Sequence, residues 1–585
     1  MKPQDNNSKK IIKTIDLTQM DEKATYEAAA FMQEFKFKAE DLLKGIKIPV
    51  LTPYTPQDVP GSPPEPVYPA QVQQNIQGNV IPGFNKGLQT YLFYRICDTD
   101  KAKEFLQWVT PLLASMDEVL AFRRMYRSQR YRRGRKKTHL YATWVNIAFS
   151  YPGIRKLRGA KEADAFGEES FRQGLAARST YLGDPSHPKR KGHRKHWKVG
   201  GPDNEADILL IVGSDSREMH EDMIHDIKDM ADQRGLELIF EQEGKTLPGD
   251  LRGHEHFGFK DGISQPGVRG KLSATPGDYI TPRYYANTDD RRLYFGKPGQ
   301  LMAWPGQFLL GEPRQDPDHL YNPDARANHF PKWAAQGSYL VVRRLNQDVT
   351  TFWAFANAAA SSLGISPQQF AAMMVGRWPS GAPVSRSPLA DDPALGDDDF
   401  ANNQFLFDDD TRPSNLRPIP GYGGDAFPQA KADFLASACP HFAHIRKINP
   451  RDTATDLGKA QDNLIRTILR RGIPFGPPII GEAEPDPELV KQERGLMFLS
   501  YSSTIEEQFE FLQRRWSNSD AQPNLGGHDP IIGQEGGSSG RERFIDFPTA
   551  GGTVRIKFKE EWVIPTGGGY FFSPTIEAVE KVLAR

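Results

Sequence analysis

Short apolar runs rich in β-branched and aromatic residues recur along this chain. They predict buried strands at 90–96, 143–149, 207–212, 496–501 and 570–572. Longer mixed segments between them predict helices at 100–115, 216–234 and 503–516. One strand–helix pair recurs. Tyr91-Leu92-Phe93-Tyr94-Arg95, with Asp100 beyond it, aligns with Tyr339-Leu340-Val341-Val342-Arg343 and Asp348. An aromatic-bearing helix follows each, with Phe105 and Trp108 in the first and Phe352 and Trp353 in the second. The repeat predicts a duplicated α+β unit, 71–336 and 337–585. Antiparallel strands with helices on one face make each unit a ferredoxin-like sandwich.

Before residue 71 the pattern changes. Residues 1–70 read as an appended segment, with a short helix at 21–44 and a Pro-rich run at 49–69 expected to lie extended on the surface.

Bulk composition narrows the partners. At 585 residues the chain exceeds what one core usually holds, and its 38% hydrophobic content is ample for a packed protein. Basic and acidic residues balance at 74 each, so global charge points to neither nucleic acid nor membrane. The two cysteines, Cys97 and Cys439, exclude a disulfide framework, a zinc site and an iron–sulfur site. No window approaches the roughly 18 to 20 apolar residues of a membrane span, and no apolar leader is seen, so a cytoplasmic protein is the expectation. A basic run at 123–137, with Tyr126 and Tyr131 interleaved, reads either as a grip for single-stranded nucleic acid or as a solvated helix and loop. Acidic residues at 391, 397–399 and 408–410 are available to offset it, and no nucleic-acid partner is expected. Residues 185–198 read as a surface loop, with His193 and His196 the only spacing there that suits a metal. The pattern fixes no oligomeric state.

The chemistry concentrates in three places. In Gly258-Phe-Lys-Asp261-Gly262-Ile-Ser-Gln-Pro266 a carboxylate sits on a loop between glycines, free to take positive φ, and Pro266 stops any helix. Such an Asp either caps its own turn or is presented to a pocket. The run Cys439-Pro-His441-Phe-Ala-His444-Ile-Arg446-Lys-Ile-Asn-Pro-Arg451 carries two histidines and two arginines. Further on comes Ile468-Leu-Arg470-Arg471-Gly472-Ile-Pro-Phe-Gly476.

Gly-x-x-Asp-Gly with Ile-Ser-Gln-Pro resembles the signature of dye-decolourising peroxidases. The Ala-His-Ile-Arg-Lys-x-Asn-Pro-Arg run and the Leu-Arg-Arg-Gly run resemble the proximal-haem and distal-arginine motifs of the same family, in the same order. Segments at 75–79, 376–381 and 570–574 also look like family features. The resemblance covers about 75–580 and is closest to the longer members. It implies two ferredoxin-like domains with one haem b per chain held between them, and a peroxidase using hydrogen peroxide to oxidise organic donors such as dyes and phenolic compounds. A haem-binding or haem-delivery protein of the same fold is the alternative.

The resemblance also implies roles. His444 takes the axial position on the haem iron, with His441 as competitor. Asp261 moves the peroxide proton as base and then acid. Arg470 stabilises charge on the departing oxygen, with Arg471 as the alternative. Arg446 and Arg451 pair with haem propionates. Asp529, in Gly526-Gly-His-Asp529-Pro, either partners the proximal imidazole or makes a plain Asx turn. Leu496 and Phe498 fall where apolar distal-pocket residues belong.

Overall fold

A computed structural model describes residues 11–16, 64–133, 140–275, 277–285, 294–314, 327, 329–408, 427–458, 460–480, 486–534 and 542–585. The helix expected at 21–44 and most of the Pro-rich run lie outside them.

The protein is built on one long sheet. Its first four strands are β1 (Leu88–Ile96), β2 (Thr143–Phe149), β3 (Ile208–Ser214) and β4 (Leu236–Lys245). The next five are β5 (Ser338–Gln347), β6 (Leu469–Arg470), β7 (Ile473–Phe475), β8 (Gly495–Ser502) and β9 (Val563–Ser573). The spatial order is β7-β8-β5-β9-β2-β3-β1-β4, with β6 also paired to β8. All these ladders are antiparallel. Within each half the order is second, third, first, fourth, the ferredoxin-like permutation twice over. The halves join where β9 meets β2, at the single pair Phe572–Phe149.

Both faces of the sheet are covered, which explains why its strands read as unbroken apolar runs. In β1, Leu92 and Tyr94 face one core together with the helices Thr99–Val109 and Arg217–Gln233, while Tyr91 and Phe93 face the other. The sheet curves around this second core. Its edge strands approach where Gly244 lies against Ile473, although no ladder joins them.

The helices form where the sequence placed them, with local differences. Asp348 caps Val349–Leu363 by accepting from the Thr351 amide at 3.0 Å. The cap of the corresponding first helix is Asp98, not the aligned Asp100. The segment expected as an ordinary helix at 503–516 is wound as π-helix over Ile505–Glu510 and Leu512–Ser517. The basic helix Met116–Arg133 is tied to the protein: Arg123 donates to the Gly83 carbonyl at 2.7 Å and Arg124 to Asp278 at 3.0 Å.

The appended segment contributes a strand that the pattern did not announce. Ile11–Asp16 pairs in parallel with Gly552–Phe558, which pairs with Arg543–Thr549 in a small separate sheet. That sheet packs on the helix Val349–Leu363 through Phe547, Ile556 and Phe558. Among the described residues no helix is long and apolar enough to cross a membrane.

Candidate active site

Four of the residues singled out by the sequence meet in two polar pairs. His444 opens the short helix His444–Ile448, and its Nδ1–H donates to Asp529 Oδ2 at 2.8 Å. The Asp529 side chain is 0% exposed, whereas the His444 ring is 25% exposed. Asp529 Oδ1 accepts the Ile531 and Ile532 amides at 2.8 and 3.1 Å. Burial on its own would raise the Asp529 carboxyl, but the His444 charge, its hydrogen bond and the two amides outweigh it, leaving the group below the usual carboxylate range. The two readings of Asp529 are therefore both realised, one on each oxygen. A carboxylate that only accepts fixes the proton on Nδ1 and turns Nε2 outward as a lone pair. The small sheet supports this arrangement from behind, because the His528 amide donates to the Phe544 carbonyl at 2.9 Å.

The second pair joins segments 209 residues apart. Arg470 Nη1 lies 3.4 Å from Asp261 Oδ1, with side chains 28% and 46% exposed. Gly258 and Gly262 take φ of +95° and +79°, and the Gly262 amide donates to Asp261 Oδ1 at 2.6 Å. Asp261 thus makes the expected turn and at the same time faces Arg470. Gln265 fixes the separation of the pair: its Nε2 donates to the Arg470 carbonyl at 3.2 Å and its Oε1 accepts the Arg470 amide at 3.3 Å. Below the loop, buried Glu255 accepts the Phe257 and Phe259 amides, both at 2.9 Å, and a proton of Gln347 Nε2. Burial pushes the Glu255 carboxyl up to about 7.

The competing residues are committed elsewhere. Arg471 is partly buried and donates to the carbonyls of Asn79, Val80 and Arg470, each at 3.0 Å. His441 packs against Gly526. Arg446, expected from the sequence beside a propionate, makes protein contacts here. Its side chain is 1% exposed, with Nη1 on Asp433 and the Cys439 carbonyl and Nη2 on Asp408 and the Asp433 carbonyl. Arg451 is also buried. It donates to the carbonyls of Asn403 and Phe405 and to Asn403 Oδ1, and lies 3.6 Å from the Phe405 ring centroid. These contacts make it a brace between the His444 segment and Asn403. Burial lowers its guanidinium to about 10.

Sequence reasoning missed what connects the pairs. Asn403 Oδ1 accepts from Arg451 at 2.6 Å, from Arg377 at 3.0 Å and from Ser264 of the Asp261 loop at 2.8 Å. This network runs from the loop to the segment just after the His444 helix. Gln265, Ser264 and Arg377 all stand inside recognisable motifs, which was their only signal. Asn403 and Glu255 carried none. Leu496 and Phe498 project from one face of β8, partly exposed, with Phe498 6.0 Å from the Phe509 ring.

The residues present fit a haem. A histidine with Nδ1 anchored on a buried carboxylate and a partly exposed ring offers Nε2 to a metal. Two apolar side chains and an acid–base pair, all partly exposed, suit the space beside such a group.

Comparison with known proteins agrees. Residues 75–248 match the family model described as DyP dimeric alpha+beta barrel domain, and 315–526 that described as Dyp-type peroxidase, C-terminal. Dye-decolorizing peroxidase msp1 of Mycetinis scorodonius is 30% identical, with 87% of each chain covered. Dye-decolorizing peroxidase AauDyP1 of Auricularia auricula-judae is 30% identical, with 86% of each covered. Among solved structures, an ancestral D-type dye decolorizing peroxidase superposes with a TM-score of 0.67 at 31% identity, covering 88% of this chain and 99% of that one. His444 and Arg470 lie inside the second matched span, Asp261 between the two, and Asp529 just beyond. With both domain models matched across most of its length, two ferredoxin-like halves in one sheet and relatives of this kind, the chain belongs to the dye-decolourising peroxidases, which are haem-dependent enzymes.

Proposed function

We propose that this peroxidase binds one haem b per chain, with His444 Nε2 on the iron, and that Asp261 and Arg470 handle hydrogen peroxide. The observation that carries the reading is the His444–Asp529 pair, a partly exposed imidazole whose tautomer is set by a fully buried carboxylate. When bound, the haem supplies the redox centre that peroxide oxidises and organic donors reduce.

The chain's own groups do the rest. Asp261 Oδ2 carries none of the bonds that hold Oδ1, so it is the oxygen that accepts the peroxide proton and returns it to the departing oxygen. Arg470 offers its guanidinium to the negative charge developing there. Leu496 and Phe498 restrict access to small oxidants. A solved relative carries 2,6-dimethoxyphenol, and phenols and dyes are the donor class we assign to this chain. A haem-delivery role gives no task to an acid and a guanidinium held together by Gln265.

The test is an absorbance spectrum of the purified protein with and without peroxide, alongside His444→Ala and Asp261→Asn. Haem retained in His444→Ala with an unshifted Soret band removes the ligand assignment. An unchanged peroxide rate in Asp261→Asn makes that residue a turn former only.

A further inference from the structure

The stretch that follows the Asp261 loop is anchored by a residue from the appended segment. After Gln265 and Pro266 the chain forms a two-residue strand, Gly267–Val268, parallel to Met302–Ala303. Arg269 and Gly270 come next, and both bind Glu65. Arg269 Nε donates to Glu65 Oε1 at 3.1 Å, and the Gly270 amide donates to Oε2 at 2.7 Å. Arg283 Nη2 reaches Oε1 at 2.7 Å. All three charged side chains are buried. On either side of Glu65 the segment is pinned by backbone bonds: the Lys271 amide donates to the Pro66 carbonyl and the Tyr68 amide to the Lys271 carbonyl, both at 2.8 Å. Tyr68 covers Gly270, which sits at φ +133°, and a Cβ there would meet Tyr68 and Ile280 at 2.9 Å.

We propose that Glu65 is a positioning residue for Asp261: a carboxylate supplied by the appended segment that fills a two-arginine pocket and fixes the stem of the distal loop. The proposal rests on the reading that Asp261 handles peroxide. Glu65, Arg269 and Arg283 all lie outside the two matched family spans. From Arg269 the path to the site is short. Gly267 and Val268 are held in a ladder, and Gln265 next to them grips both backbone groups of Arg470. Displacement of Arg269 is thus passed along an extended, hydrogen-bonded stretch to the residue that sets the Asp261–Arg470 separation.

The charges explain why a carboxylate is needed. Without Glu65 the pocket holds two buried guanidiniums, Arg269 over the Trp304 ring at 4.2 Å and Arg283 over the Tyr279 ring at 4.9 Å. Burial opposes ionisation of Glu65, yet the two arginines and the Gly270 amide hold its carboxyl below the ordinary range. A neutral replacement keeps the shape and loses this balance.

The experiment uses the full-length chain loaded with haem, as Glu65→Gln, Glu65→Asp and Glu65→Gly. Three quantities are read: the peroxide-driven Soret change by stopped flow, the resting Soret position, and amide hydrogen exchange across 261–271. Glu65→Gln is expected to slow the peroxide step on the order of 10-fold to 100-fold, as a small misplacement of a reacting group does. The resting Soret band stays put, because His444 is untouched. Exchange quickens in 261–271 and not in β5. In Glu65→Gly, added acetate restores slow exchange and the peroxide rate, while chloride at the same ionic strength does not. Glu65→Asp falls between wild type and Gln and folds in any case where Gly does not.

Wild-type exchange and wild-type peroxide rate in Glu65→Gln overturn the proposal. So does exchange that rises evenly through the chain, which makes Glu65 a general fold residue. If Asp261→Asn leaves the peroxide rate unchanged, the role of Asp261 fails, while the exchange and its acetate rescue still decide whether Glu65 holds the loop.

Discussion

Replacing Asp529 by Asn isolates the proximal half of the site. The side chain keeps its size, and its remaining oxygen still accepts the Ile531 and Ile532 amides. The amide nitrogen then faces His444 Nδ1, where a carboxylate oxygen stood 2.8 Å away. Two donors cannot share that contact. Either the His444 proton moves to Nε2, which removes the lone pair the iron requires, or a charge-assisted bond worth roughly 1.5 to 3 kcal/mol is replaced by a repulsion. That range corresponds to about a 10-fold to 100-fold loss of affinity, the usual effect of deleting a ligand's hydrogen-bond partner. Because the Asp529 side chain is fully buried, water does not reach its side of the contact to repair the mismatch. The assay is titration of the haem-free protein with haem, following the Soret band, together with the reduction potential, which should rise as the imidazole loses its anionic partner. Haem affinity and potential equal to wild type would refute the reasoning.

Other expectations follow from the same contacts. Arg470→Ala should slow the peroxide step by about 10² or more in stopped flow, as loss of one charge-stabilising donor does. Arg471→Ala should leave that step within a few-fold and instead lower the melting temperature, since three carbonyls lose their donor at about 1 to 3 kcal/mol each where they stay dry. Gln265→Leu should reduce peroxide reactivity about tenfold with an unshifted resting spectrum, because two bonds of net value about 1 kcal/mol each hold the pair together. Glu255 and Glu168 are both raised to about 7 by burial, so the folded protein binds more protons than the unfolded chain between about pH 4.5 and 7. Their contribution is fully present below pH 4.5 and is lost as pH rises through 7, with a slope of at most about 1.4 kcal/mol per pH unit each. Urea midpoints measured across this window should show a flatter slope in Glu168→Gln, and an unchanged slope would count against the buried-acid account.

Strands were legible because burial on both faces writes itself as continuous apolar sequence, as in Tyr91 to Tyr94. His444, Asp261 and Arg470 were legible because each stands in a local run of special residues. What stayed hidden depends on distant partners. The motif around Arg446 says nothing of Asp408 and Asp433, which close around it. Glu65 sits in a Pro-rich run that says nothing of two arginines about 200 residues away. Ile11–Asp16 is a short hexapeptide of mixed character whose partner strand lies more than 500 residues further on. The π winding after Thr504 is likewise a compromise with its packing, and no period in the sequence marks it.

β9 is the strand that links the halves, and it is made after every other strand of the long sheet. During synthesis β2 and β5 must therefore wait, each with an apolar edge open to any extended peptide, until residues 563–573 arrive between them. A chain stopped short of that strand would carry every residue of the candidate site and still lack the element that unites its sheets. Nonsense or frameshift changes that remove residues 563–573 should thus lead to edge-driven aggregation rather than to a weakened enzyme.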